Sequence, residues 1–371
     1  MRLPCPSRCA GEMAGTSPDR HEGDKMASVM GWDLGGANLK LARIEGGRAE
    51  HVVQIPCPLR QDVSKFDAAL EEALPMCPPH SVHAVTMTGE LSDVFADRAE
   101  GVAYLVDMMR NATDAEALFY GARSGFLDCI RAVERSVDVA SANWHASAKL
   151  IARLLPDALL IDAGTTTTDL VPLKAGAVAV RGYCDGDRLA ESELVYTGVV
   201  RTPVMAVART APFNGRMQRI AAERFATMAD VWRMMGELPD DADPYPTPDL
   251  AGKSIEASAA RLARMLGRDA NEASLLAFGD LARHFADCQV AEIEEAARTV
   301  LAREAIAPEA PLVGAGCGRF IAKELAARLE RPYYDFAELI DCEADARDMA
   351  ARCAPAVAVG LLAERELVAS V

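Results

Sequence analysis

From Val29 onward, short apolar runs alternate with longer stretches of helical period. Val29 to Asp33, Leu39 to Ile44 and Glu50 to Ile55 predict three strands joined by tight turns, the second turn being Glu45-Gly46-Gly47. Lys65 to Leu74 predicts a helix and Val82 to Met87 a fourth strand. Helical period returns over Ala99 to Arg110, Gly125 to Val133 and Trp144 to Leu154. A strand-rich opening followed by alternating elements is the pattern of an α/β domain.

A second strand–turn–strand unit begins at Ala158, ALLIDAGTTTTDLVPLKAGAVAV, and repeats the design of the first, VMGWDLGGANLKLARIEGG. In each, an apolar strand ends in Asp, passes a turn of small residues, and leads through a second strand to a Gly-containing hairpin. Duplication of this kind predicts two related lobes. From Gln218 to Ile306 the chain reads as mostly helical, interrupted by LPDDADPYPTPDLAGK, whose four prolines exclude helix and predict an exposed loop, either a solvated connector or a lid. APLVGAGCGRFIAKELAARLE then gives an apolar strand, a Gly-rich turn and a helix. An apolar helix from Ala354 to Leu367 closes the chain and should pack back on the first lobe. The expected division is lobe I from 28–157 plus 340–371 and lobe II from 158–339. Residues 1–27 have neither an apolar segment nor an amphipathic arginine face, which predicts a disordered N-terminal extension without a targeting signal and leaves Met26 or Met30 open as the working start.

Length and composition narrow the function classes. A chain of 371 residues with 50% hydrophobic residues can fill two cores. Its formal charge of −16 opposes binding to polyanions, so nucleic acid is not an expected partner. No apolar run approaches the roughly 18 residues of a membrane span. The ten cysteines include no Cys-x-x-Cys pair, so neither a zinc site nor a disulfide framework follows, and a reducing cytoplasm is the expected location. The helical middle offers a candidate homodimer face.

The chemistry lies in the turns. Glycines permit close approach of backbone N–H groups to an anion, and an Asp just before such a turn faces the same cavity and can hold a divalent cation through water. The first loop supplies Asp33, Gly35, Gly36, Ala37 and Asn38, with Lys40 seven residues after the Asp. The second supplies Asp162, Gly164, Thr165, Thr166 and Thr167, with Asp169 again seven residues on. Two such hairpins facing each other across a cleft can clamp a diphosphate and its Mg²⁺ from both sides.

DLGGANLK, DAGTTTTD and LVGAGCGRFIAKELA resemble the phosphate 1, phosphate 2 and adenosine motifs of the superfamily that contains actin, heat-shock chaperones and sugar kinases. The resemblance runs from Val29 to the final helix. It implies a two-lobed actin-like ATPase (ribonuclease H-like) fold of class α/β, with a five-stranded sheet in each lobe and the ligand between duplicated lobes. TMTGELSDVFADRAEGV, SANWHASAKL, IDAGTTTTDLVPL and YTGVVRTPV further resemble the hydantoinase A/oxoprolinase group. Within that group, so short a chain resembles the branch acting in tetrahydromethanopterin-linked one-carbon pathways, which includes methanofuran biosynthesis.

That resemblance implies alkyl transfer from a furanylmethyl diphosphate to the phenol of a tyramine- or tyrosine-type acceptor, with diphosphate leaving. Mg²⁺ is the expected cofactor, and ATP is compatible but not required. Under this reading Asp33 and Asp162 orient the metal, with Asp169 a weaker third ligand. Lys40, the turn amides of Gly35 to Asn38 and the hydroxyls of Thr165 to Thr167 bind the diphosphate oxygens, and the adenosine-like third turn adds Gly314 and Gly316 as cofactor-binding residues. Arg201 reaches a substrate carboxylate or phosphate. Glu90 or Asp93 serves as base for the phenol or anchors the furan amine; both acids also fit a helix N-terminus, where they would favour the dipole. Lys40 equally fits a solvated strand position and Asp169 a strand-end cap. Trp144 and His145 read first as packing residues, and so does Cys317. Two other classes fit the same motifs: an ATP-dependent small-molecule kinase or hydantoinase-like amidohydrolase, and a nucleotide-binding regulator without catalysis.

Overall fold

The computed structural model describes residues 28–59, 62–113 and 117–369, so the extension predicted for residues 1–27 lies outside the described residues. The chain opens with β1 (Val29–Leu34), β2 (Asn38–Glu45) and β3 (Arg48–Pro56), followed by α1 (Ser64–Ala73), β4 (Val82–Met87) and α2 (Arg98–Ala112). Next come β5 (Ala117–Gly121), β6 (Gly125–Leu127) and three helices, α3 (Cys129–Glu134), α4 (Ser136–Val139) and α5 (Asn143–Ala152). The second hairpin is β7 (Ala158–Ala163) and β8 (Thr168–Lys174), continued by β9 (Ala177–Val178), α6 (Asp185–Ala190), β10 (Leu194–Val195), α7 (Val204–Val207), β11 (Thr210–Phe213) and β12 (Arg216–Arg219). The helices α8 (Met228–Met235), α9 (Ile255–Met265) and α10 (Leu275–Arg303) precede β13 (Leu312–Ala315), α11 (Arg319–Arg328), β14 (Tyr333–Asp335), β15 (Asp341–Cys342), α12 (Arg347–Arg352) and α13 (Ala354–Ala369).

The duplication seen in the sequence is a duplication of topology. One sheet runs β15-β3-β2-β1-β4-β5-β6 and the other β10-β8-β7-β13-β14, with β9 also on β8. In each, the Asp-bearing strand pairs antiparallel with the next strand and parallel with a later one, which in turn pairs parallel with its successor. The expected five-strand core is present in both, and β6, β15 and β9 extend it to sheets of seven and six strands.

Strand alternation sets where everything points. In β1, Met30, Trp32 and Leu34 join the core formed with α1 and α2, while Val29 joins the core between the two sheets. In β7, Leu159 and Ile161 face the core under α8 to α11, while Ala158 and Leu160 face the core between the sheets. Asp33 shares the parity of Val29, and Asp162 that of Leu160. Both carboxylates therefore project from the inner faces of their sheets.

The space between the sheets is filled by α5 and α13. All residues from Ala354 to Glu364 are buried, which explains why this helix is apolar all round. Its close seat on β1 depends on glycine: a Cβ on Gly31 would lie 2.1 Å from the Ala356 carbonyl oxygen, and one on Gly360 would lie 2.7 Å from Ile44. The closing helix thus packs on the first sheet, as expected.

Two expectations need correction, and a third is refined. Gly125–Leu127 is a strand and not the start of a helix: Gly125 takes φ +70 in a hairpin turn, and helix begins only at Cys129, capped by the Asp128 side chain. Residues 218–227 are not helical; Arg216–Arg219 pairs with β11 through a turn in which Asn214 and Gly215 both have positive φ, the Asn-Gly hairpin signature. The helix of this stretch starts at Met228, with Thr227 and Asp230 as a capping box. The proline-rich stretch 238–253 is free of helix and largely exposed, as expected, and it also bridges the two halves of the chain. Tyr245 donates a hydrogen bond to the Ala37 carbonyl of the first loop, and Asp241 pairs with Arg352 at 2.7 Å. Asp243 and Asp249 tie it to Arg233 and Arg261 on the helical side.

Candidate functional site

The two Asp-terminated hairpins face one cleft of about 430 Å³. Gly35, Gly36, Ala37, Asn38 and Lys40 line it from the first sheet, and Asp162, Gly164, Thr165, Thr166, Thr167 and Asp169 from the second. Asp93 and Arg201 line it as well. The turns are matched atom for atom: Gly35 N donates to Asn38 O at 3.1 Å and Gly164 N to Thr167 O at 2.9 Å. A Cβ on Gly35 would stand 2.6 Å from that Asn38 oxygen, so the first turn requires glycine.

Neighbouring segments hold the loop carbonyls. Leu59 N and Cys57 N donate to the oxygens of Gly36 and Ala37, and the amides of Val199, Val200 and Arg201 donate to Gly164 and Thr165. In a trans peptide the N–H points opposite to the C=O, so the Thr165 and Thr166 amides are directed away from the Val199–Arg201 segment. Gly198 is needed there, since a Cβ on it would lie 2.4 Å from Thr166 N. Pro355, in the first turn of α13, also lines the cleft and brings the positive end of that helix dipole to its edge.

The seven-residue spacing resolves into register. Asp33 is directly opposite Lys40 in the first hairpin, and Asp162 directly opposite Asp169 in the second. Lys40 Nζ lies 2.9 Å from Asp33 Oδ2, which is fully buried, so Lys40 is not a solvated strand residue. Burial alone would lower the lysine's pKa, but the Asp33 charge, helped by Cys353 and Asp162, holds it above its ordinary value. In the second hairpin the cross-strand pair has like charge. Burial, and then Asp169, push Asp162 up to about 7. Asp169 is itself raised by burial despite its partner Arg188, whose Nη1 lies 2.6 Å away. Asp169 is therefore a partner of Arg188 and not a strand cap.

Arg188 is the principal residue that sequence reasoning missed. It is buried, donates to the Glu193 carbonyl, and stacks on Trp144 with its guanidinium 3.9 Å from the ring centroid. Trp144 accordingly both packs and lines the cleft, with its indole Nε1 buried and unpartnered. No spacing rule links Arg188 to Asp169; only the return of the chain through α6 brings them together. Ser92, Ser141 and Tyr196, which lie in the segments resembling the hydantoinase A group but were given no role, line the cleft too, as does Asp185.

Other expected residues sit elsewhere. Glu90 is buried behind the wall of the cleft, 2.8 Å from Ser141 Oγ, while Asp93 is on the wall itself. Gly314 belongs to β13 and packs on Tyr333, away from the cleft. Gly316, with φ +83, lies under Asp162, whose Oδ1 would be 2.5 Å from a Cβ there. With Cys317 it borders a recess of about 60 Å³ that shares Asn38, Lys40, Asp162, Gly164 and Thr165 with the main cleft. His145 is neutral through burial and paired with the Tyr120 hydroxyl, a packing role.

The residues fit a water-coordinated divalent cation. Asp162 lines the cleft, whereas Asp33 lies behind Lys40 and is not part of the lining; its Oδ1 is buried with no partner, an orphaned acceptor that a bound water of such a cation would satisfy. Among the described residues no cluster of three or more His, Cys, Asp or Glu side chains would cage a metal directly.

The model of the hydantoinase/oxoprolinase family matches residues 81–336, more than half of the chain. The chain belongs to that family. A (4-{4-[2-(gamma-L-glutamylamino)ethyl]phenoxymethyl}furan-2-yl)methanamine synthase from Methanocaldococcus jannaschii is 33% identical over 244 residues, covering 65% of this chain and 72% of the relative. A protein of the same name from Methanococcus vannielii is 29% identical over 116 residues, covering 31% of this chain and 52% of the relative. Among solved structures, nucleotide-free acetone carboxylase superposes with a TM-score of 0.51 at 10% identity, over 81% of this chain and 66% of the other. The family member described here has the actin-like ATPase fold, two sheets of one topology with the ligand-sized cleft between them. Among the described residues no helix is long and apolar enough to cross a membrane.

Proposed function

We propose that the chain is an alkyltransferase of methanofuran biosynthesis, which joins a furanylmethyl diphosphate to the phenol of a tyramine- or tyrosine-type acceptor and releases diphosphate. The observation that carries this reading is the opposition of two anion-type loops, with Lys40 between them, across one cleft. The names of the relatives fit it, since their product contains a phenoxymethyl link between an aryl oxygen and a furan methylene.

Diphosphate leaves readily only if the charge that develops on it is stabilised. Lys40, the Thr165 and Thr166 amides, the threonine hydroxyls, Arg201 and the α13 dipole converge on the cleft where that charge would arise. Asp33 and Asp162 would hold a hydrated Mg²⁺, which when bound supplies further positive charge to the leaving group. Their own task is to orient the waters around it.

The test is direct. The protein is incubated with a furanylmethyl diphosphate, tyramine and Mg²⁺, with and without ATP, and the aryl ether, diphosphate, phosphate and ADP are measured. Ether and diphosphate in equal amounts without ADP support the proposal. Acceptor-dependent ADP with no ether would replace it with a kinase, and full activity in excess chelator would remove Asp33 and Asp162 from their role.

A further inference from the structure

An acceptor phenol has a pKa near 10 and must lose its proton as its oxygen attacks, so the cleft needs a group that accepts one. Glu90 is chemically suited but does not line the cleft. Ser141 stands between, lining the cleft and donating its hydroxyl proton to Glu90 Oε1 at 2.8 Å. We propose that Ser141 is a catalytic residue of this reaction: its Oγ takes the acceptor's phenolic proton while its own proton passes to Glu90. The inference rests on the synthase reading above.

Several independent features point to this wall as built for a ligand. Ser141 is held at φ +52, a left-handed backbone conformation that costs a serine about 1 kcal/mol, and the same conformation aims it between Glu90 and the cleft. Ser92 Oγ and Trp144 Nε1, both on the cleft and both more than nine-tenths buried, have no hydrogen-bond partner. Glu90 Oε2 is likewise buried and unpartnered. A phenol hydroxyl placed here would meet Ser141 on a wall that Ser92 and Trp144 also line.

Protons and electrons balance. The phenolic O–H bond breaks as Ser141 Oγ gains that proton and Glu90 gains the serine's. The phenolate lone pair forms the new C–O bond at the furan methylene, and the old C–O bond leaves with its electron pair on diphosphate. Glu90 then returns its proton to solvent through Ser141 once product departs.

The ionisation of Glu90 suits the task. Burial, with a smaller push from Asp185, raises it to about 7, while the Ser141 hydrogen bond pulls the other way. Charged groups on the surrounding elements are Asp185 on α6, its ion-pair partner Arg98 on α2, Asp97 and Glu100 at the start of α2, and Asp93 on the cleft wall. Glu90 is then a carboxylate above neutral pH and able to receive the proton.

The experiment uses the full chain with furanylmethyl diphosphate and two acceptors: tyramine, and a ring-fluorinated tyramine whose phenol is already ionised at the assay pH. The variants are Ser141→Gly, which suits the left-handed backbone and so keeps the loop, and Glu90→Gln. With tyramine both should lose about a hundredfold or more in turnover, the range of general base catalysis. With the pre-ionised acceptor the loss should shrink to within about tenfold, whereas Lys40→Met, acting on the leaving group, should lose equally with both. The parent protein should show a rise in rate with pH through about 7, and Glu90→Gln should abolish it. Equal losses on the two acceptors, or a parental rate for Ser141→Gly with tyramine, overturns the relay while leaving the synthase reading intact. No ether from the parent protein with either acceptor overturns the synthase reading, and the relay with it.

Discussion

Replacing Lys40 tests the first hairpin most severely, because the lysine has a structural partner as well as a proposed substrate. Its Nζ lies 2.9 Å from Asp33 Oδ2, the two residues are directly opposite in the β1–β2 ladder, and Asp33 is 1% exposed. At an effective dielectric of about 20, a contact of this length has a Coulomb energy of roughly 5 to 6 kcal/mol, most of it offset by the cost of burying both charges. Deleting Lys40 alone leaves the desolvation cost of Asp33 without its compensation, which for buried pairs amounts to about 3 to 5 kcal/mol. The lysine is 21% exposed, so water can partly replace it and the lower end, about 3 kcal/mol, is expected. Asp33→Asn should restore most of that loss in the double variant, giving a coupling energy of about 2 to 3 kcal/mol in a double-mutant cycle. Urea unfolding of the four proteins at one pH measures it. A loss below about 1 kcal/mol for Lys40→Met, with additive effects of the two changes, would show that Asp33 is not the buried counter-charge. Kinetics give the functional half: at temperatures where the variant is folded, losing a charge-assisted contact of roughly 1.5 to 3 kcal/mol lowers turnover efficiency about tenfold to a hundredfold.

Two further predictions follow from other parts of the fold. Gly31→Ala places a Cβ 2.1 Å from the Ala356 oxygen, so α13 must shift; overpacking of this kind costs about 1 to 3 kcal/mol, and calorimetry should show a lower melting temperature. Asp162 has its folded pKa raised to about 7 against an ordinary 3.8, so the folded state prefers it protonated, and stability is lost as pH rises from about 4 through 7. Asp162→Asn removes that penalty and should raise the melting temperature more at pH 8 than at pH 5, whereas an equal shift at both would mean that the carboxylate is solvated.

The site was legible where a local rule fixes geometry. A seven-residue spacing across a tight turn placed Lys40 opposite Asp33 and Asp169 opposite Asp162, and strand parity turned both first acids inward. The division into two sheets of like topology was legible for the same reason, because each hairpin carries its own pattern. The residues that stayed hidden depend on tertiary return of the chain. Arg188 reaches Asp169 only because α6 folds back on β8, and Ser141 reaches Glu90 across 51 positions. The third glycine turn reads like a ligand loop, yet Gly316 and Gly318 are glycines because the end of β7 packs on them: a Cβ on Gly316 would lie 2.3 Å from the Ala163 oxygen. The Asn214-Gly215 hairpin was visible in principle, but small apolar residues such as Ala221, Ala222 and Ala226 imitate helical period there.

The measurement that bears most directly on the account is calorimetric titration of inorganic diphosphate, with Mg²⁺ present, into the parent protein and into one variant from each side of the cleft, Lys40→Met and Thr166→Val. If both loops grip the same group, diphosphate binds the parent protein and each variant weakens it, the lysine change by about tenfold or more. Binding that is absent from the parent protein, or that responds to only one of the two loops, would contradict a diphosphate held between them.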